Sequence, residues 1–321
     1  MRLKAALLGV GVLLGACTAP QPSETPAPQA TAPAAMEWRS LAPAPTERTE
    51  VVAALFEGKI LVIGGFIPGG STDVVEIYDP ATDSWAQGPD LPHAVNHPMA
   101  AVFDGKVFVF GGYTGRLNSP SDRAFSYDGS GWEELPRMPS ARAAAAGAEA
   151  GGKLYVAGGI GPSGLATDTL VFDPSSNSWD TAAGLNTLRE HLGAAGFGGK
   201  VYVVAGRAGG VGNLTAAEVF DPATGGWTNL PPIPTARGGL SATATESGLV
   251  VVPGGEAAAT FEEVEAFDIS EGVWITLPPL PTPRHGIGIV AIGDVVYVIA
   301  GGPTPGGSYS GANEAIDLSS L

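Results

Sequence analysis

Apolar residues in this chain fall in short runs of four to seven, rich in β-branched and aromatic side chains and bounded by Gly, Pro and Asp. Six of these runs end in small residues: ILVIGG (60–65), VFVFGG (107–112), LYVAGG (154–159), VYVVAG (201–206), VVVPGG (250–255) and VYVIAG (296–301). Each follows a shorter apolar segment, and four are entered through a Gly-Lys turn at 58–59, 105–106, 152–153 and 199–200. A third run ends in an aromatic-Asp pair, at Tyr78-Asp79, Tyr127-Asp128, Phe172-Asp173, Phe220-Asp221 and Phe267-Asp268, weakening to Ile316-Asp317. A tight turn then leads to a run around tryptophan. Such runs, separated by turn residues, predict strands joined as hairpins. No helical period is sustained beyond the first 17 residues, so the chain reads as all-β.

The six tryptophans, at 38, 85, 132, 179, 227 and 274, are separated by 47, 47, 47, 48 and 47 residues. A fixed step near 50 residues marks a repeat architecture. Four strands in each of six copies predict a six-bladed β-propeller. The diglycine, the aromatic-Asp pair and the tryptophan, in phase over 38–318, closely resemble kelch repeats. That resemblance implies that the diglycine ends the second strand where side chains would clash, and that the aromatic and tryptophan pack between neighbouring blades. The second glycine stands in all six copies, whereas the first is replaced by Ala205 and Ala300 in two. The chain enters on a tryptophan strand and leaves on a third strand. The last blade is therefore expected to be closed by the N-terminal strand around Trp38, which hides two sheet edges.

The N-terminus follows a different rule. Arg2 and Lys4 precede an apolar run over 5–14, too short to span a bilayer as a helix, and then Leu14-Gly15-Ala16-Cys17. This reads as a secretory signal over 1–16, and its tetrad resembles the lipobox of bacterial lipoproteins, in which the cysteine is lipidated. Cys17 is the single cysteine of the chain, so a disulfide within the chain is excluded. Residues 17–36 are rich in Pro, Ala and Thr and lack the apolar residues to build a core, which predicts an extended tether to a propeller over 37–321. The expected location is the cell envelope, exported and lipid-anchored. The formal charge of −16 argues against nucleic acid as a partner, and a monomer is expected.

Ten residues after each tryptophan, just before the innermost strand, stand Arg48, Val95, Arg142, Arg189, Arg237 and Arg284. A ring of blades would gather these into a cationic collar at the channel mouth, and guanidinium forks suit carboxylates and phosphates. Kelch proteins that recognise acidic peptides use arginines at this repeat position, so the resemblance implies an acidic ligand. The alternative is that each arginine braces a turn by pairing with Glu76, Glu218, Glu265 or Glu314. Close by lie Thr49, Asn96, Glu190 and His285, and one residue further Glu50, His97 and His191. Glu190, His191, Glu50 and His97 are the candidate acids and bases, since imidazole titrates near neutrality; the same groups could instead be channel lining. His97 and His191 could share a metal only if the channel joins them. No local spacing supports a metal or a cofactor, and none is expected. Loop aromatics Phe66, Tyr113 and Tyr309 are the candidates for stacking on a sugar.

The first functional expectation is a non-catalytic binding module for an acidic protein, peptide or glycan. The second, drawn from exported six-bladed kelch enzymes, is a sialic acid (N-acetylneuraminate) epimerase or mutarotase. In it Arg142, Arg189 and Arg237 would hold the substrate carboxylate. A structural envelope scaffold is the third. Copper radical chemistry of the kelch oxidases is excluded, because no cysteine lies in the repeats to cross-link a tyrosine.

Overall fold

A computed structural model describes residues 36–115, 117 and 119–321. The signal segment, Cys17 and nearly all of the tether lie outside the described residues. Six four-stranded antiparallel sheets follow one another along the chain. In blade 1 the strands run, from the axis outward, Val52–Phe56, Lys59–Ile63, Val75–Asp79 and Ser84–Gln87. Blades 2 to 5 repeat this order, with innermost strands Met99–Phe103, Ala146–Ala150, Gly193–Phe197 and the short Thr243–Ala244. Blade 6 takes Gly288–Ile292, Val295–Ile299 and Asn313–Asp317, and its fourth strand is Arg39–Ser40 from the N-terminus. Arg39 pairs with Ala315 and Ser40 with Glu314, which closes the wheel as the repeat phase predicted.

Among the described residues six large apolar clusters hold the wheel together, each between two adjacent blades, and a small seventh gathers Tyr113, Ala143 and Ala144. Blades 6 and 1, for example, share Val51, Ile60, Val62, Tyr78, Tyr297 and Ile299, all buried. The alternation of the strands explains this: each blade is covered on both faces, so its middle strands are apolar on both sides. The tryptophans sit on the outer strands. Each indole Nε1 donates to a carbonyl of the preceding segment: Trp38 to Pro278, Trp85 to Ala42, Trp132 to Pro89, Trp179 to Pro136, Trp227 to Ala183 and Trp274 to Pro231. Five of them also lie 5.0–5.3 Å from the aromatic of their own aromatic-Asp pair. The packing role that the resemblance implied for both aromatics holds.

The antiparallel order fixes what lies at each end of the axis. Turns after the first and third strands, including the Asp-Pro-Ala-Thr-Asp type, lie at one end. At the other lie the loops that follow the diglycines and those that lead into the innermost strands. Three of the diglycine loops form small extra hairpins, Phe66–Ile67 with Gly70–Ser71, Ile160–Gly161 with Gly164–Leu165, and Arg207–Ala208 with Gly212–Asn213.

Candidate functional site

The five arginines are not a collar. Arg48, Arg189, Arg237 and Arg284 are 0% exposed and Arg142 is 1% exposed, so no guanidinium is open to a ligand. Each lies inside its own blade. Arg48 pairs with Glu76 at 2.8 Å and donates to the carbonyls of Gly64 and Val74. Arg237 pairs with Glu265 at 2.8 Å, while Arg189 and Arg284 pair with Glu218 and Glu314. Arg142 uses Asp168, at 2.9 Å. Burial lowers the pKa of Arg48, Arg189, Arg237 and Arg284, and the adjacent glutamates oppose that shift. Blade 2 gives the reason for the exception. It has Val95 where the others have arginine and Phe125 two residues before its tyrosine, and these two pack in one apolar cluster. A buried ion pair and an apolar pair are interchangeable fillers of the same space, so the bracing alternative is the correct one. The acidic-ligand expectation loses the side chains it rested on, and so does the carboxylate clamp of the mutarotase reading.

Two residues beyond the arginine position, the backbone of all six copies turns left-handed. Glu50, His97, Ala144, His191, Gly239 and Gly286 have φ between +50° and +68°. Their amides and carbonyls form a hydrogen-bonded ring about the axis: His97 N to Glu50 O, Ala144 N to His97 O, His191 N to Ala144 O, Gly239 N to His191 O, Gly286 N to Gly239 O, and Val51 N to Gly286 O. Three of the six members have no side chain beyond Cβ, which leaves the axis to the other three.

Those three meet. His191 Nε2 lies 2.9 Å from His97 Nε2, and His97 Nε2 lies 3.0 Å from a Glu50 oxygen. A second layer surrounds them. His191 Nδ1 faces the Glu190 carboxylate, and His97 Nδ1 is 2.6 Å from Asn96 Oδ1. His285 Nε2 is 3.4 Å from the other Glu50 oxygen and 3.6 Å from Glu256. Arg207 bridges Glu190 and Glu256, at 3.0 Å from each. A cavity of about 50 Å³ borders the ring, enough for several water-sized centres. Burial alone would raise the Glu50 carboxyl, yet His97, with His191 and His285, holds it well below the usual carboxylate range. Burial, with His97 and Arg207 close by, pushes the His191 imidazole well below its usual range.

All four candidate acids and bases, Glu50, His97, Glu190 and His191, are therefore brought into one cluster. The channel does join the two histidines, the condition on which a shared metal depended: among the described residues, donor atoms of Glu50, His97 and His191 lie within 4.8 Å of one another. Arg207 and Glu256 were missed by the sequence reading. The signal was present, since each directly follows the second glycine of its copy, and that position pairs with the residue after the arginine: Glu190 with Arg207, Gly238 with Glu256. Of the loop aromatics, Tyr113 is buried edge-on against His97, while Phe66 and Tyr309 stack on one another at 6.5 Å.

Two family models match the chain. The KLHDC2/KLHL20/DRC7 Kelch-repeats domain covers residues 96–302, and the Kelch motif covers 47–92. No curated protein matches it.

Proposed function

We propose that this chain, which belongs to the kelch-repeat family, is an exported, lipid-anchored interaction module that holds a protein or peptide segment across its loop face. Kelch propellers are common protein-interaction modules. One observation carries the finer reading: the loops at the end of the axis that bears the polar cluster raise two large apolar side chains into solvent, Leu117 at 58% and Val211 at 73% exposure. Exposed apolar side chains beside a polar mouth suit the anchor-and-rim pattern of an interface. The opposite end carries charged turn pairs such as Lys59–Asp79 and Lys200–Asp221. The leader and Cys17 support export and anchoring, and the tether would supply reach.

Photo-crosslinking side chains placed at 117 or 211 should capture one partner in intact cells, while one at the exposed turn residue Ser176 should not. Leu117→Asp with Val211→Asp should weaken that partner's affinity at least about tenfold, the loss of a modest anchor. Cys17→Ser should release the chain from membranes without changing the purified propeller's affinity. Capture from position 176 alone would overturn the reading. So would accelerated anomer exchange of N-acetylneuraminate in a saturation-transfer experiment, which would restore the enzyme alternative.

A further inference from the structure

We propose that the axial ring binds one divalent transition cation of the zinc class through His97 Nε2, His191 Nε2 and a Glu50 carboxylate oxygen. Asn96 Nδ2 donates to Ser71 Oγ at 2.8 Å, and that hydroxyl donates to the Gly115 carbonyl at 2.7 Å. The amide is thereby oriented so that its Oδ1 faces His97 Nδ1, which must donate to it. The Glu190 carboxylate stands beside Nδ1 of His191. A histidine whose Nδ1–H is held in this way offers a lone pair at Nε2, the arrangement found behind metal-bound imidazoles.

Nε2 of both imidazoles and a carboxylate oxygen stand 2.9 and 3.0 Å apart along the axis, three donor atoms of the kind that ligate a metal, all within 4.8 Å of one another. The surroundings favour a cation: the Glu190 and Glu256 carboxylates stand around Glu50, with Arg207 bridging them at 3.0 Å from each.

Donor type selects the ion. Two nitrogens and one oxygen suit zinc and its neighbours, whereas calcium and magnesium take all-oxygen shells. Tetrahedral ligands at about 2.0–2.1 Å stand about 3.4 Å apart, so seating the ion needs an outward shift of about half an ångström. The fold leaves room for the carboxylate: a Cβ at Gly286 would lie 2.7 Å from Glu50 Cδ and 2.4 Å from Thr49 Oγ1. The bordering cavity leaves a fourth position for water. The ligands come from blades 1, 2 and 4, so the ion would join parts of the wheel that no single sheet connects.

The test uses the purified full chain, stripped with a chelator and titrated with Zn²⁺ by calorimetry and with Co²⁺ by visible absorption. One equivalent of each should bind, with the Co²⁺ d–d spectrum of a four-coordinate nitrogen–oxygen site that Zn²⁺ abolishes. His97→Ala with His191→Ala should lose the equivalent. Asn96→Ala, which leaves all three ligands in place, should weaken Zn²⁺ binding about 10–100-fold. Should the double variant fail to fold, the wild-type Co²⁺ spectrum and Asn96→Ala still decide. The proposal falls if the stripped wild type takes up no metal, if the double variant folds and binds as tightly as wild type, or if NMR shows His97 as an imidazolium in the presence of excess Zn²⁺, because a proton then fills the gap.

Discussion

Arg284→Ala lowers the unfolding free energy by about 3–5 kcal/mol, the cost of leaving one member of a buried ion pair alone. Arg284 Nε donates to the Ala300 carbonyl at 2.7 Å, and its two terminal nitrogens reach the Thr282 and Val298 carbonyls, each at 2.8 Å, besides Glu314. Truncation strands the Glu314 side chain, which is 5% exposed, with only the Thr282 hydroxyl for company. Arg142→Ala should cost clearly less, because its partner Asp168 is 38% exposed and water replaces the lost charge. Replacing both members, Arg284→Met with Glu314→Leu, should recover most of the loss, as Val95 and Phe125 already do in blade 2. Urea unfolding followed by tryptophan fluorescence reads all three. Arg142→Ala serves a second purpose, since it stays folded: a brace leaves partner binding unchanged, whereas a ligand-holding arginine would not. Equal losses at 142 and 284 would contradict the geometry.

The wheel was legible because its determinants are local and repeated. A diglycine, an aromatic-Asp pair and a tryptophan recur at one step, and each acts on a strand or turn a few residues away. Even the closure by Arg39–Ser40 follows from phase alone. The arginines show where that logic stops. Their position in the copy was correct, but whether a side chain turns toward the axis or into its own blade depends on the acid available beside it. Four glutamates in register supplied the hint; Asp168, displaced by two residues from that register, did not. The polar cluster was legible as a list and not as a contact. His97 and His191 are 94 residues apart, and they meet only because blade 3 contributes Ala144 between them and the ring turns every member inward. Arg207 and Glu256 were readable only through the pairing, within one copy, of the residue after the second glycine with the residue after the arginine.

Gly159→Ala should destabilise the propeller by about 3 kcal/mol or more, and Gly158→Ala by about 1 kcal/mol. Backbone strain and overpacking each cost about 1–3 kcal/mol. Both positions are crowded, since a Cβ at Gly158 would meet the Arg189 carbonyl oxygen at 2.7 Å. The difference comes from φ and from the relief that Ala205 and Ala300 show to be available at the first position. The first glycine of each pair has φ between +54° and +65°, within the left-handed region that alanine tolerates at a cost; Ala205 and Ala300 occupy the same position at +53° and +58°. The second glycines have φ from +85° to +111°, where a side chain is strained whatever the space. Space is lacking too. A Cβ at Gly159 would meet Ala145 Cβ at 2.5 Å and the Ala143 carbonyl oxygen at 2.6 Å, both on the strand lead-in of its own blade. The difference in φ is why the second glycine persists in six copies while the first varies. Denaturant titration of the two variants checks the order, and a Gly158→Ala loss equal to that of Gly159→Ala would defeat the explanation. The same contact governs the site. At Gly206 the opposing carbonyl belongs to Glu190, 2.8 Å from where a Cβ would stand. Gly206→Ala should therefore both destabilise the fold and displace Glu190 from His191, whereas Gly159→Ala, in a blade whose lead-in is Ala143 and Ala144, strains the wheel without moving a charged member of the cluster.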